Sequence, residues 1–99
     1  MGKLSAEEMK AMIDSEKNKC IIDLRSEDEY QQGHIAGSIN LPLHDIKQIA
    51  DIVRDLQTPL FICCQSGRHS VIARTVLLYL GYTQVWNIGG MQDWPYETV

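Results

Sequence analysis

An α/β domain with a largely parallel sheet and helices on both faces is predicted from the order of the sequence signals. Three observations carry the prediction. Short apolar runs without in/out alternation, such as Leu60-Phe61-Ile62-Cys63-Cys64, suit strands buried on both sides. Helical periods with capping signals fill the gaps between those runs. The 99 residues contain no linker, repeat or low-complexity stretch, so they are expected to form one domain over 1–99.

The elements follow in order. Ser5 with Glu8 forms a capping box, and Met9, Met12 and Ile13 recur at helical spacing, which predicts a helix over residues 5–16. Cys20-Ile21-Ile22-Asp23-Leu24 reads as a buried parallel strand. A second capping box, Ser26 with Glu29, opens a short helix that Gly33 ends. Residues 35–42 read as a turn and a small strand closed by Pro42. Apolar residues at 43, 46, 49, 50, 53 and 56 predict one amphipathic helix over 43–56, stopped by Thr58-Pro59. Leu60 to Cys64 is the central strand. Ser70 is read as the cap of an apolar helix over 71–80, with Gly81 at its C-terminal end. Residues 84–88 form another strand, and Gly89-Gly90 leads into a last turn around Met91 and Trp94.

Composition excludes several classes of function. The hydrophobic fraction of 44% is ordinary for a globular protein, and no apolar run is long enough to span a membrane. The net charge is −4 and the nine basic residues are scattered, so nucleic acid is not an expected partner. Residues 1–6 have neither a signal-peptide core nor a myristoylation pattern, and the chain reads as cytoplasmic. Three cysteines argue against a disulfide framework. Three histidines far apart give no metal-site spacing, and no cofactor or metal is expected.

The chemistry sits where the central strand ends. Ligands in open parallel sheets bind beyond the C-terminal ends of strands, and Cys64 ends its strand at that edge. Gln65-Ser66-Gly67-Arg68-His69-Ser70 then bends the chain into a helix whose N-terminus offers unpaired N–H groups and partial positive charge. Gly67 permits a positive φ that turns amides inward. Such a cradle favours the thiolate, the nucleophilic form of cysteine, and can hold an anionic donor. Arg68 and His69 supply cationic or donor groups at the rim. A strand-end cysteine taken alone is more often an inert core residue than a functional one, and Cys20 and Cys63 are read that way. The Gly, Arg and His loop leading into a helix lifts Cys64 above them. Strand alternation points Cys63 away from Cys64. Neither cysteine has an arginine six positions on, which disfavours phosphate-ester chemistry of the common cysteine type.

Three segments together resemble the rhodanese-like family. They are Asp23-Leu24-Arg25 with Glu29-Tyr30 and residues 33–42; Cys64 through Ser70; and Gly89-Gly90-Met91 with Trp94. The resemblance implies a parallel sheet of about five strands flanked by helices. It also implies sulfane-sulfur transfer, with Cys64 loaded to a persulfide by an anionic donor such as thiosulfate. Cyanide, a thiol or a protein sulfur acceptor then unloads it. The loop from Cys64 through His69 has the six-residue length similar to sulfurtransferases, one shorter than in the family's phosphatases and arsenate reductases. His69 stands where many members have arginine, with Arg68 one position earlier.

The remaining polar residues are expected to serve structure. Asp23 and Arg25 lie past the first strand at the same sheet edge, as a supporting salt bridge or turn cap. His34 is expected to fix its turn, His44 to lie on a solvated helix face, and Trp86 and Trp94 to pack. Arg74 faces either solvent or the loop. The competing function is a non-catalytic interaction module, against which the intact Cys64 and uninterrupted loop argue.

Overall fold

Both predicted capping boxes close. Ser5 Oγ accepts from the Glu8 amide at 3.1 Å while the Glu8 carboxylate accepts from the Ser5 amide at 3.0 Å. Ser26 and Glu29 repeat the arrangement one element later. Helix α1 accordingly spans Ala6–Ser15 and α2 Glu27–Gln31. The computed structural model describes residues 4–99, and the N-terminal expectations for residues 1–3 lie outside them.

Strands β1 (Cys20–Asp23), β2 (Ile39–Asn40), β3 (Leu60–Cys64) and β4 (Val85–Gly90) form one sheet in the order β2-β1-β3-β4, with every pair parallel. The expected α/β class holds. The expected count of about five strands does not, since the sheet has four among the described residues. Ahead of β1, residues 6–15 are committed to α1 by its capping box and helical period, and no strand occurs there among the described residues.

The sheet separates two cores. On one face Ile22, Leu60, Ile62 and Cys64 pack under Ile46, Ile49, Ala73 and Leu77; on the other Ile21, Phe61 and Cys63 pack under Met9 and Ile13 of α1. All five side chains of β3 are buried, as its continuous apolar run predicts for a central parallel strand.

Two elements depart from expectation. The predicted helix over 43–56 is a 3₁₀ segment, Leu43–Gln48, followed by a single α-turn, α3 (Ile49–Ile52). Leu43, Ile46 and Ile49 recur every third residue, the 3₁₀ repeat, and the last two are buried. Val53 then leaves the helix in an extended conformation (φ −119°, ψ 97°), and its carbonyl accepts from the Tyr82 hydroxyl instead of from a further helical amide. Helix α4 spans Arg68–Tyr79 and starts three residues before the predicted position. Gly67, at φ 93°, is its N-cap, and Ser70 lies inside the first turn. Ser70 does not cap: it is fully buried, and its Oγ has no partner among the described residues.

Candidate active site

Cys64 ends β3, and only 2% of it is exposed. The chain then turns so sharply at Gly67 that the Gly67 amide donates back to Cys64 Sγ at 2.9 Å. A β-carbon at position 67 would meet strain from the positive φ and lie 3.3 Å from the Gly90 amide nitrogen. The loop is packed that tightly because β4 ends in two glycines. β4 bulges opposite Ile62 and Cys63, with the Asn87 side-chain oxygen accepting from the Gly89 amide at 2.8 Å. That bulge brings Gly90 beside Cys64. A β-carbon on Gly90 would lie 2.7 Å from the Gln65 carbonyl oxygen and 2.8 Å from the Ser66 carbonyl carbon. Gly89-Gly90 thus holds the 65–67 backbone in place, a role that sequence reasoning left unassigned although a Gly-Gly pair ending a strand signals a close backbone approach.

A cavity of about 330 Å³ opens beside Cys64. It lies between the ends of β1 and β3, where connections leave the sheet in opposite directions: β1 leads to β2 on one side, and β3 leads to β4 on the other. A ligand crevice belongs at such a switch point. Leu24, Pro42 and Leu43 give it apolar walls, and Arg25, His44, His69 and the acidic Glu29 line it with ionisable groups. His69 is where the loop predicts it. His44, expected on a solvated helix face, is exposed yet also lines the cavity, because the 3₁₀ segment after Pro42 turns it toward the sheet edge. Arg68 heads α4 and is exposed to solvent.

Arg25 is fixed by geometry. Its Nε and Nη2 donate to both oxygens of the fully buried Asp23 carboxylate, with Nη2 to Oδ2 at 2.8 Å, and Nη2 also donates to the Gly33 carbonyl at 2.6 Å. The Arg25 backbone amide donates to the same carboxylate at 3.0 Å, closing an Asx-type turn. The hydrogen bond to Asp23 raises the Arg25 pKa further, so the guanidinium beside the cavity is always charged. Both structural expectations for this pair, salt bridge and turn cap, are met together.

The other polar residues take structural places. His34 stacks on Tyr30 at 3.8 Å, its Nδ1 lies 2.8 Å from the Tyr30 carbonyl, and its backbone exchanges two hydrogen bonds with Val99. Arg74 Nε donates to the Val85 carbonyl at 3.0 Å, tying α4 to β4. Trp86 and Trp94 pack against the core on the α1 side. Cys63 faces that core too, its thiol 3.8 Å from the Ile22 carbonyl, and burial with Asp23 nearby pushes its pKa far above the ordinary thiol value. Cys20 is half-buried, its pKa likewise raised by burial. No cluster of side chains suited to a metal occurs among the described residues, and no helix there is long and apolar enough to cross a membrane.

Comparison with known proteins agrees with this geometry. The family model for the rhodanese-like domain matches residues 5–97. Thiosulfate sulfurtransferase PspE of Escherichia coli is 42% identical over 73 residues, covering 73% of this chain and 70% of that protein. Thiosulfate sulfurtransferase GlpE of Pseudomonas syringae is 33% identical, covering 85% of this chain and 83% of its own. The putative sulfur carrier protein YrkF of Bacillus subtilis is 32% identical over 96 residues, which span only 51% of its length. A solved structure described as rhodanese with anions, from E. coli, superposes with a TM-score of 0.76 at 39% identity, over 82% of this chain and 96% of that one. With the strand order, the cysteine loop and the family match in agreement, the chain belongs to the rhodanese-like domain family.

Proposed function

We propose that the protein is a rhodanese-type sulfurtransferase that carries sulfane sulfur as a persulfide on Cys64. One observation carries the reading: the Gly67 amide points at Cys64 Sγ, 2.9 Å away, beside a cavity that Arg25, His44 and His69 line. An amide donor aimed at sulfur stabilises its anionic form, whether thiolate or persulfide. Two neighbours named as thiosulfate sulfurtransferases, and a related rhodanese solved with anions, support a small anionic donor.

In the loading step the Cys64 thiolate attacks the outer sulfur of thiosulfate. A new S–S bond forms, the original S–S bond breaks, and sulfite leaves with its electron pair. Arg25, immobilised by Asp23 and Gly33, offers its fixed charge to the sulfonate end without reorganising. His69 and His44 also line the cavity, the His44 Nε2 lying 3.2 Å from the Asp45 carboxylate. Arg68, exposed at the head of α4, assists the approach of an anion from solvent rather than contacting it in the cavity. Gln65 and Ser66 shape the turn, and buried Ser70 supports it from within α4. In the unloading step cyanide or a thiolate attacks the terminal sulfur, and Cys64 departs as thiolate.

Intact-protein mass spectrometry after incubation with thiosulfate tests this. Wild type gains one sulfur, and cyanide removes it with release of thiocyanate. Cys64→Ser gains none while keeping its fold by circular dichroism. A Cys64→Ser protein that still turned over thiosulfate would remove Cys64 from the mechanism. A wild-type protein that took up no sulfur would remove the mechanism itself.

A further inference from the structure

Helix α4 is apolar on two sides. Its inner side buries Ser70, Ala73 and Leu77. Its outer side carries Arg68, Val71, Ile72, Thr75, Leu78 and Tyr79, spaced i, i+3, i+4, i+7, i+10 and i+11, which places them along one solvent-facing stripe. Val71 is 60% exposed, Ile72 52% and Tyr79 90%. Leu56, also exposed, lies against Gly81 just past the end of α4, next to the exposed Asp55. Apolar surface concentrated on one element marks a contact site.

The charge on α4 itself has one sign, since the helix carries two arginines and no acidic residue. None of the 13 acidic residues lies between positions 56 and 92, a stretch that holds α4 and two arginines. The stripe also has a fixed relation to the chemistry. It begins at Arg68, next to the cavity-lining His69 and directly after the Cys64 loop, and runs for roughly 18 Å at the helical rise.

We infer that the outer face of α4 docks a protein sulfur acceptor whose own surface is apolar and acidic and whose thiol enters the Cys64 cavity; this rests on the sulfurtransferase reading above. Apolar groups of the acceptor cover Val71, Ile72, Leu78 and Tyr79, and its carboxylates meet Arg68. The acceptor thiolate attacks the terminal sulfur of the Cys64 persulfide, the Cys64 S–S bond breaks, and Cys64 leaves as thiolate while the acceptor becomes the persulfide. Six stripe residues fall well short of the roughly 20–30 per side of a stable interface, which suits an acceptor that must leave after each turnover better than a permanent second copy. A second copy, whose exposed Ile52 and Leu56 stand beside the exposed Asp51 and Asp55, is the alternative occupant that the test distinguishes.

The test uses three cysteine peptides of equal length as acceptors: leucine–glutamate, leucine–lysine and serine–glutamate. The sulfur-loaded wild type is expected to pass sulfur to the first about tenfold faster than to either other at low salt, the size of an electrostatically aided encounter. Ile72→Asp with Tyr79→Asp, and the milder Ile72→Ser with Tyr79→Ser, should erase that preference while transfer to cyanide stays at the wild-type rate. Fluorescence anisotropy with the leucine–glutamate peptide, its cysteine changed to serine, reads docking without chemistry and should show binding to wild type only. Equal rates with the leucine–lysine peptide, or binding unchanged in both variants, would overturn the docking face. Sedimentation showing a wild-type dimer that the Asp variant dissolves would assign the face to a second copy instead. Failure of wild type to load sulfur would defeat the enzymatic reading, and the anisotropy would still decide whether the face binds.

Discussion

Cys63 and Cys64 are consecutive residues of one strand with opposite fates. Pleating sends Cys64 to the face that carries the cavity and Cys63 to the core under α1. Burial there holds the Cys63 thiol protonated at neutral pH, where only the thiolate reacts. Cys63→Ser should therefore keep most sulfur transfer, its hydroxyl inheriting the contact with the Ile22 carbonyl. In native protein at pH 8, iodoacetamide should modify Cys64 first and reach Cys63 only after denaturation, as peptide mapping would show. Early labelling of Cys63 would mean that its pocket opens in solution. The division of labour between these two was legible from strand periodicity and from the loop that follows. His44 was not, because its place beside Cys64 depends on a 3₁₀ winding that an α-helical period conceals.

The cysteine loop owes its shape to an element distant in sequence. Loop 65–67 lies against the end of β4, and Gly90 leaves the room that any side chain would fill. Gly90 has φ −89°, so a substitution there is purely a steric probe. Gly90→Ala should displace the loop and cut kcat/KM with thiosulfate by about 100-fold, the scale of loss for sub-ångström misplacement of catalytic groups. Gly37→Ala is the control, since that residue has φ 82° but open space around it. It should lower Tm through backbone strain and leave kinetics unchanged. Steady-state kinetics and thermal melts on both variants separate the two effects. Strands, capping boxes and the turn after Cys64 were readable because each rests on local chemistry. The 43–56 segment and the start of α4 were misjudged because distant partners bear on them: Tyr82 engages the Val53 carbonyl where the first leaves its helix, and Gly67, packed against Gly90, opens the second in place of Ser70.

Across the molecule, the Asp23–Arg25 pair joins the end of β1, the turn at Gly33 and the cavity wall. Removing only the cation strands a fully buried carboxylate. Arg25→Leu should cost about 3–5 kcal/mol in urea unfolding. Asp23→Leu with Arg25→Leu should recover much of that loss without recovering use of thiosulfate, because the fixed positive charge is gone. Full thiosulfate activity in the double variant would confine Arg25 to a structural role.

Class, element order, the proposed nucleophile and its loop were written in short-range patterns: apolar runs, caps and a glycine turn are properties of neighbours in sequence. Strand order, the cavity at the switch point and the recruitment of Arg25, His44 and Gly90 to one cysteine came only with folding. Parallel sheets are built by crossovers, so residues 25, 44, 64 and 90 meet through the order in which strands pair, and no local pattern encodes that order.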